Sequence, residues 1–181
     1  MLIIQSIVNI SEVNFYIMSS IIKLRGKGVS RIINSKVMLS PLAGVTDKIF
    51  RKLVRKWAPE SLLFTEMINA TSLKHGYGTQ KIKQLELEKG PIGVQIFDNR
   101  PFAVSEAAKL AEDSGAFLID INMGCPVKKI SRKGGGSALI NDRLLAIELV
   151  KRVSNAVKVP VTVKTRLGWE NKEENIEEFL L

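Results

Sequence analysis

Phe117-Leu-Ile-Asp-Ile-Asn-Met-Gly-Cys-Pro-Val-Lys-Lys129 is an apolar run ending in a turn that carries the chain's single cysteine. Gly115 precedes it and Gly124-Cys125-Pro126 closes it. Ile and Leu pack on a pleated surface while Gly and Pro stop one, so the run reads as a buried parallel strand. Asp120 and Asn122 lie two residues apart and therefore share a face of that strand. A polar side chain left unpaired there would cost roughly 1–3 kcal/mol, so a ligand or a polar network is expected on that face. Cys125 follows at once, and then a basic, glycine-rich loop, Lys128-Lys-Ile-Ser-Arg-Lys-Gly-Gly-Gly-Ser137. The end of this strand is taken as the active centre.

Working upstream, Pro91 to Phe97 reads as another strand, followed by a helical face of Val104, Ala107, Ala108 and Ala111 that Gly115 closes. Before it come a strand from Val37 to Pro41 and a helix that Thr46 is expected to cap. Phe50, Leu53, Val54 and Trp57 form the apolar face of that helix. A strand follows from Leu62 to Glu66. Residues 67–90 give weaker signals, with Gly76 and Gly78 in a loop and His75 assigned no role. Ile21 to Ile33, with Gly26 and Gly28 at its middle, suggests a hairpin ahead of the main domain. Downstream, a helix is predicted from Arg143 to Val157, a strand from Val159 to Thr165 and an acidic helical start at Glu173.

Strand and helix thus alternate, as in a (β/α)₈ barrel or a doubly wound sheet. Pro41, Glu66, Gln95, Asn122 with Cys125, and Lys164 all fall at or just past the carboxyl ends of strands, where a barrel keeps its chemistry. No G-x-G-x-x-G opens the first βα unit, which speaks against a dinucleotide-binding sheet. The expected fold is α/β, a partial (β/α)₈ TIM barrel with about five of the eight strands.

Composition limits the possible partners. Of 181 residues, 27 are Lys or Arg and 18 are Asp or Glu, so the net charge of +9 suits a polyanion such as nucleic acid. One cysteine forms no internal disulfide, which fits a cytoplasmic setting. The apolar start, Met1-Leu-Ile-Ile-Gln-Ser-Ile-Val8, lacks a basic flank, and Asn9, Glu12 and Asn14 interrupt any membrane-spanning run. Residues 1–17 are read as an N-terminal extension, with 18–181 as the barrel domain.

Ser40-Pro-Leu-Ala-Gly-Val-Thr-Asp47, Thr65-Glu-Met67, Gly93-Val-Gln-Ile96, Asp120-Ile-Asn-Met-Gly-Cys-Pro126, Gly136-Ser-Ala-Leu139 and Val163-Lys-Thr-Arg166 together resemble the tRNA-dihydrouridine synthase family. The match runs in order from about Val37 to Trp169. The resemblance implies an FMN-dependent TIM-barrel oxidoreductase that reduces uridine in tRNA and takes its electrons from NADPH. It places Pro41, Leu42 and Ala43 along the flavin, Gln95 and Lys164 in hydrogen bonds to its ring, and Cys125 as the proton donor, a role open to a thiol at neutral pH. Asn122 is expected to position the flipped base, and Lys128, Lys129, Arg132 and Lys133 to contact tRNA phosphates. No metal is expected.

Family members continue through three more strands and a helical domain, so the resemblance implies low flavin affinity and doubtful activity for this chain alone. It also implies open sheet edges beside the first and fifth strands, through which copies could associate. Two other functions stay open: an inactive fragment that at most binds RNA, and a flavin barrel acting on a small pyrimidine.

Overall fold

A half-barrel needs its strands parallel and in sequence order, and that order follows from where apolar runs alternate with helices. The computed structural model describes residues 3–5 and 22–168. A short strand, β1 (Ile3–Gln5), is followed by a hairpin of β2 (Ile22–Arg25) and β3 (Ser30–Ile33). Then come β4 (Met38–Leu39), α1 (Lys48–Trp57), β5 (Leu62–Phe64), β6 (Ile68–Asn69), α2 (Ala70–Lys74) and α3 (Thr79–Lys83). A 3₁₀ turn at Gln84–Leu87 leads into β7 (Ile92–Phe97), α4 (Pro101–Asp113) and β8 (Leu118–Met123). The short α5 (Lys128–Ser131), a 3₁₀ turn at Gly136–Ile140, α6 (Arg143–Ala156) and β9 (Val161–Thr165) complete the order. The predicted helix at Glu173 lies outside the described residues.

The parallel strands run β4-β5-β7-β8-β9, each beside the next in sequence, and β6 continues the β5 side of β7. A doubly wound sheet would reverse direction partway; this one does not, and the curled sheet is half of a TIM barrel. Alternation sorts its two faces. Val94, Ile96, Ile119, Ile121, Met123, Val161 and Val163 point outward into the main core, against Val104, Ala107, Ala108 and Ala111 of α4 and Ala146, Leu149 and Val153 of α6. Leu62, Phe64 and Leu118 point inward and form a second cluster with Leu24 and Ile33 of the β2–β3 hairpin. The hairpin therefore plugs the amino-terminal end of the half-barrel. Among the described residues, no helix is long and apolar enough to cross a membrane.

Gly26 sets how closely the hairpin docks. A Cβ there would lie 2.1 Å from the Lys158 carbonyl oxygen and 2.7 Å from Pro160 N, both backbone atoms leading into β9. Gly26→Ala is expected to cost about 1–3 kcal/mol, as overpacking does where backbone must move. Urea denaturation would measure it, and a loss below about 0.5 kcal/mol would show that the hairpin does not dock this way.

Four expectations are corrected. Thr46 does not cap α1: Asp47 does, its carboxylate accepting the Phe50 N–H at 2.8 Å. Thr46 is fully buried instead, and its hydroxyl closes the preceding loop on the N–H and carbonyl of Leu42. Of the apolar α1 face, Leu53 and Trp57 are exposed while Arg51 is buried, because α1 follows an edge strand and little of it meets the core. The edge of β9 is not open: β1, from the stretch set apart as an extension, pairs antiparallel along Thr162–Lys164. Strand edges gain by pairing whatever segment supplies the partner. Residues 67–90, read only as a loop and a charged stretch, contain β6, α2, α3 and a 3₁₀ turn.

Candidate active site

The inward face of the sheet changes character along the strands. Above the Leu62, Phe64 and Leu118 layer, register places Gln95, Asp120 and Thr162 side by side on β7, β8 and β9. One step nearer the carboxyl ends, Asn122 lies opposite Lys164. A polar network around Asp120 and Asn122 is present. Thr162 Oγ1 and Gln95 Nε2 each donate to Asp120 at 2.6 Å. Asn122 Nδ2 donates to Gln95 Oε1 at 2.9 Å, and Asn122 Oδ1 accepts the N–H groups of Gly124 (3.2 Å) and Cys125 (2.9 Å). Burial pushes the Asp120 carboxyl up to about 6, against the opposing hydrogen bonds of Thr162 and Gln95 and the charge of Lys164.

Cys125 sits half-buried at the turn after β8, and its carbonyl accepts the Ser137 N–H at 3.0 Å. One N–H of the Asn122 amide points at Met67 Sδ, 3.7 Å away, a weak contact that a better acceptor would displace. The ammonium of half-buried Lys164 makes no hydrogen bond to the described residues. Lys128, Lys129, Arg132 and Lys133 are all exposed, on and just after α5.

Pro41, Leu42 and Ala43 lie past the end of β4, two strands from β7, with Leu42 and Ala43 exposed. Their loop is held from β5's side: Glu66 accepts the Gly44 N–H at 2.7 Å and Lys81 Nζ at 2.8 Å. The Lys81 hydrogen bond, with help from Gly44 and against some desolvation, holds the Glu66 carboxyl below its usual range. The structure thus gathers Gln95, Asn122, Cys125 and Lys164 at the carboxyl ends of β7, β8 and β9, while Pro41 to Ala43 follow β4 and the four basic residues lie on and just after α5.

Sequence reasoning missed Asp98. It is buried at the end of β7 and accepts from Thr71 N and Oγ1, Asn69 Nδ2, Asn99 N and the Arg100 guanidinium. Burial pushes its carboxyl up, but these donors outweigh that and hold it below the ordinary value. The adjacent Asn99 donates to the Lys133 carbonyl at 2.6 Å, tying the end of β7 to the basic loop. The polar triplet Asp98-Asn-Arg100 directly after an apolar strand was the available signal. Among the described residues, no three His, Cys, Asp or Glu side chains gather as a metal site requires.

With this geometry in hand, residues 38–180 match the family profile described as dihydrouridine synthase. A Synechocystis sp. protein named "Probable tRNA-dihydrouridine synthase 1" is 50% identical over 150 residues, 83% of this chain and 42% of its own length. The "tRNA-dihydrouridine synthase B" of Vibrio parahaemolyticus is 39% identical over 146 residues (79% and 44%). The protein of that name from Pseudomonas aeruginosa is 40% identical over 144 residues (78% and 42%). The chain spans less than half the length of these curated relatives.

Proposed function

The chain belongs to the dihydrouridine synthase family, and from that premise we propose that it contributes the catalytic half-barrel of an FMN-dependent oxidoreductase converting uridine to dihydrouridine in tRNA. NADPH is the proposed reductant. The observation that carries this reading is the mouth of the half-barrel. There a half-buried cation without a hydrogen bond to the described residues, Lys164, a polar side chain at Asn122 and a half-buried thiol at Cys125 come together at the strand ends, with an apolar inner layer deeper in the sheet.

These residues fit a flavin. Lys164 would hold the ring from its place on β9 opposite Asn122, and a fixed cation there would favour the reduced form of a bound flavin. Gln95 keeps one amide hydrogen beyond the one given to Asp120. Pro41, Leu42 and Ala43 offer a mostly apolar edge for the ring system. When bound, FMN supplies the hydride that reduces the C5–C6 bond of uracil. Cys125 holds the proton to be delivered at C5 from its Sγ. Asn122 has one N–H held only weakly, on Met67 Sδ, which the base would take over, and its oxygen keeps the Cys125 turn in place. Lys128, Lys129, Arg132 and Lys133 meet the tRNA backbone.

The test supplies FMN, NADPH and unmodified tRNA to the purified chain and measures dihydrouridine. Product formed only with FMN in large excess, as the low flavin affinity of a half-barrel requires, and lost in Cys125→Ala at the same excess, is the expected result; product undiminished in that variant overturns the assigned donor, and no product from the parent chain overturns catalysis by this half-barrel alone. A second reading, RNA binding without catalysis, draws on the four exposed cations of the α5 loop, which need no other part of a barrel. Replacing all four with Gln is expected to lower the log–log salt slope of tRNA binding by about 3. An unchanged slope removes the loop from the RNA interface.

A further inference from the structure

The hydrogen bonds at the inner face have only one permissible direction. The N–H groups of Gly124 and Cys125 can only donate, so Asn122 must present its oxygen to them. That turns its NH₂ toward Gln95, which must answer with its own oxygen. The NH₂ of Gln95 then faces residue 120, where an acceptor is obligatory. At pH 8 the ionised Asp120 has two carboxylate oxygens and no hydrogen, so it takes Gln95 on one and the Thr162 hydroxyl on the other.

We propose that Asp120 is a positioning residue: as a terminal acceptor it sets the sense of the Gln95–Asn122 amide relay and thereby holds a carbonyl oxygen on the Cys125 amide, fixing the thiol-bearing turn. The members are nearly fully buried, Gln95 and Asp120 at 1% exposure, so water cannot repair a reversed amide. Lys164 of β9 is the charged group acting on Asp120, while β7 offers it only the neutral Gln95 and β9 also the Thr162 hydroxyl.

A directional relay can be run backwards, which distinguishes it from generic polar packing. In Asn122→Asp, Gln95 stands between two carboxylates with only one NH₂ to offer, so one end becomes an acceptor–acceptor contact. The double variant Asp120→Asn with Asn122→Asp reverses every amide and satisfies every group. The amide introduced at position 120 accepts from Thr162 and donates to Gln95. Gln95 then donates to the carboxylate introduced at position 122, which still accepts from Gly124 and Cys125.

The experiment is a four-member cycle of melting temperatures at pH 8 and pH 5, with hydrogen exchange at the Cys125 amide as the positional readout. At pH 8, Asn122→Asp is expected to melt about 4–10 °C below the parent chain. Asp120→Asn alone should lose less, since the Thr162 hydroxyl can turn to accept. The double variant should recover at least half of the Asn122→Asp loss and keep the Cys125 amide protected. At pH 5 the Asn122→Asp loss should shrink, because a protonated carboxyl can donate to Gln95. If that variant does not fold at pH 8, folding of the double variant alone supports the relay. A double variant no more stable than Asn122→Asp overturns it, as does a loss that is the same at both pH values. These readouts need neither flavin nor tRNA, so the inference stands or falls apart from the proposed function.

Discussion

Arg51→Met lowers the free energy of unfolding by about 3–5 kcal/mol, the range for a buried ion pair that loses one partner. Arg51 is only 4% exposed. Its guanidinium forks onto Glu88, with Nε 2.9 Å from Oε2 and Nη2 on Oε1, while Nη1 donates to the Thr46 carbonyl at 2.6 Å. The Glu88 side chain is itself only 9% exposed. Methionine fills similar volume but leaves a buried carboxylate and a backbone carbonyl without donors. The effect should therefore come from the stranded partners. Arg51→Met combined with Glu88→Leu is expected to recover a large part of the loss. Urea unfolding of the two variants provides the check. A single-variant loss below about 1 kcal/mol would place this pair with weak surface ion pairs. The same bridge joins α1 to the segment before β7, and Thr46 in turn closes the loop that carries Pro41 to Ala43. Loosening of the proposed flavin edge should accompany the destabilisation.

Gly136→Ala is expected to cost about 2–4 kcal/mol and to disturb Cys125 directly, backbone strain and overpacking acting together. Gly136 has φ +60°, a left-handed backbone that costs other residues roughly 1–2 kcal/mol. A Cβ there would also lie 2.5 Å from the Cys125 carbonyl oxygen and 3.1 Å from Ile130 Cγ2. The carbonyl would have to move, and with it the bond it accepts from Ser137 N. Gly134→Ala is the matched control: φ is +79°, but the new Cβ meets nothing nearer than the Asn99 side chain at 3.4 Å. The control should show the backbone strain alone, about 1–2 kcal/mol. The Gly136 variant should add a changed rate of Cys125 alkylation. Equal losses and equal thiol rates in the two variants would show that the close approach does not govern the turn.

Much of the fold was legible because it is written in local patterns. The runs of β7, β8 and β9 stand between Gly and Pro signals, and the small residues of α4 recur at helical spacing; all of them appear where their periodicity puts them. Cys125, Asn122, Gln95 and Lys164 could be placed at strand ends for the same reason. The α1 face was misread because periodicity reports which residues share a side, not whether anything packs there. Leu53 and Trp57 share a side that the described residues leave exposed. Asp98 escaped because its burial depends on Thr71, Asn69 and Arg100 folding back over it.

The chain by itself determined the strand–helix alternation, the family and the identity of the groups gathered at one end of the sheet, since each depends on residue type and spacing along a single segment. Tertiary structure alone decided the direction of the Asp120–Gln95–Asn122 relay, the Arg51–Glu88 bridge and the pairing of β1 with β9. Those depend on partners far apart in sequence, from Gln95 and Asp120, 25 positions apart, to Ile3 and Lys164, which meet only when the strands pair and the helices pack on them. Hydrogen-bond direction is a property of the assembled donors and acceptors, so no single segment contains it.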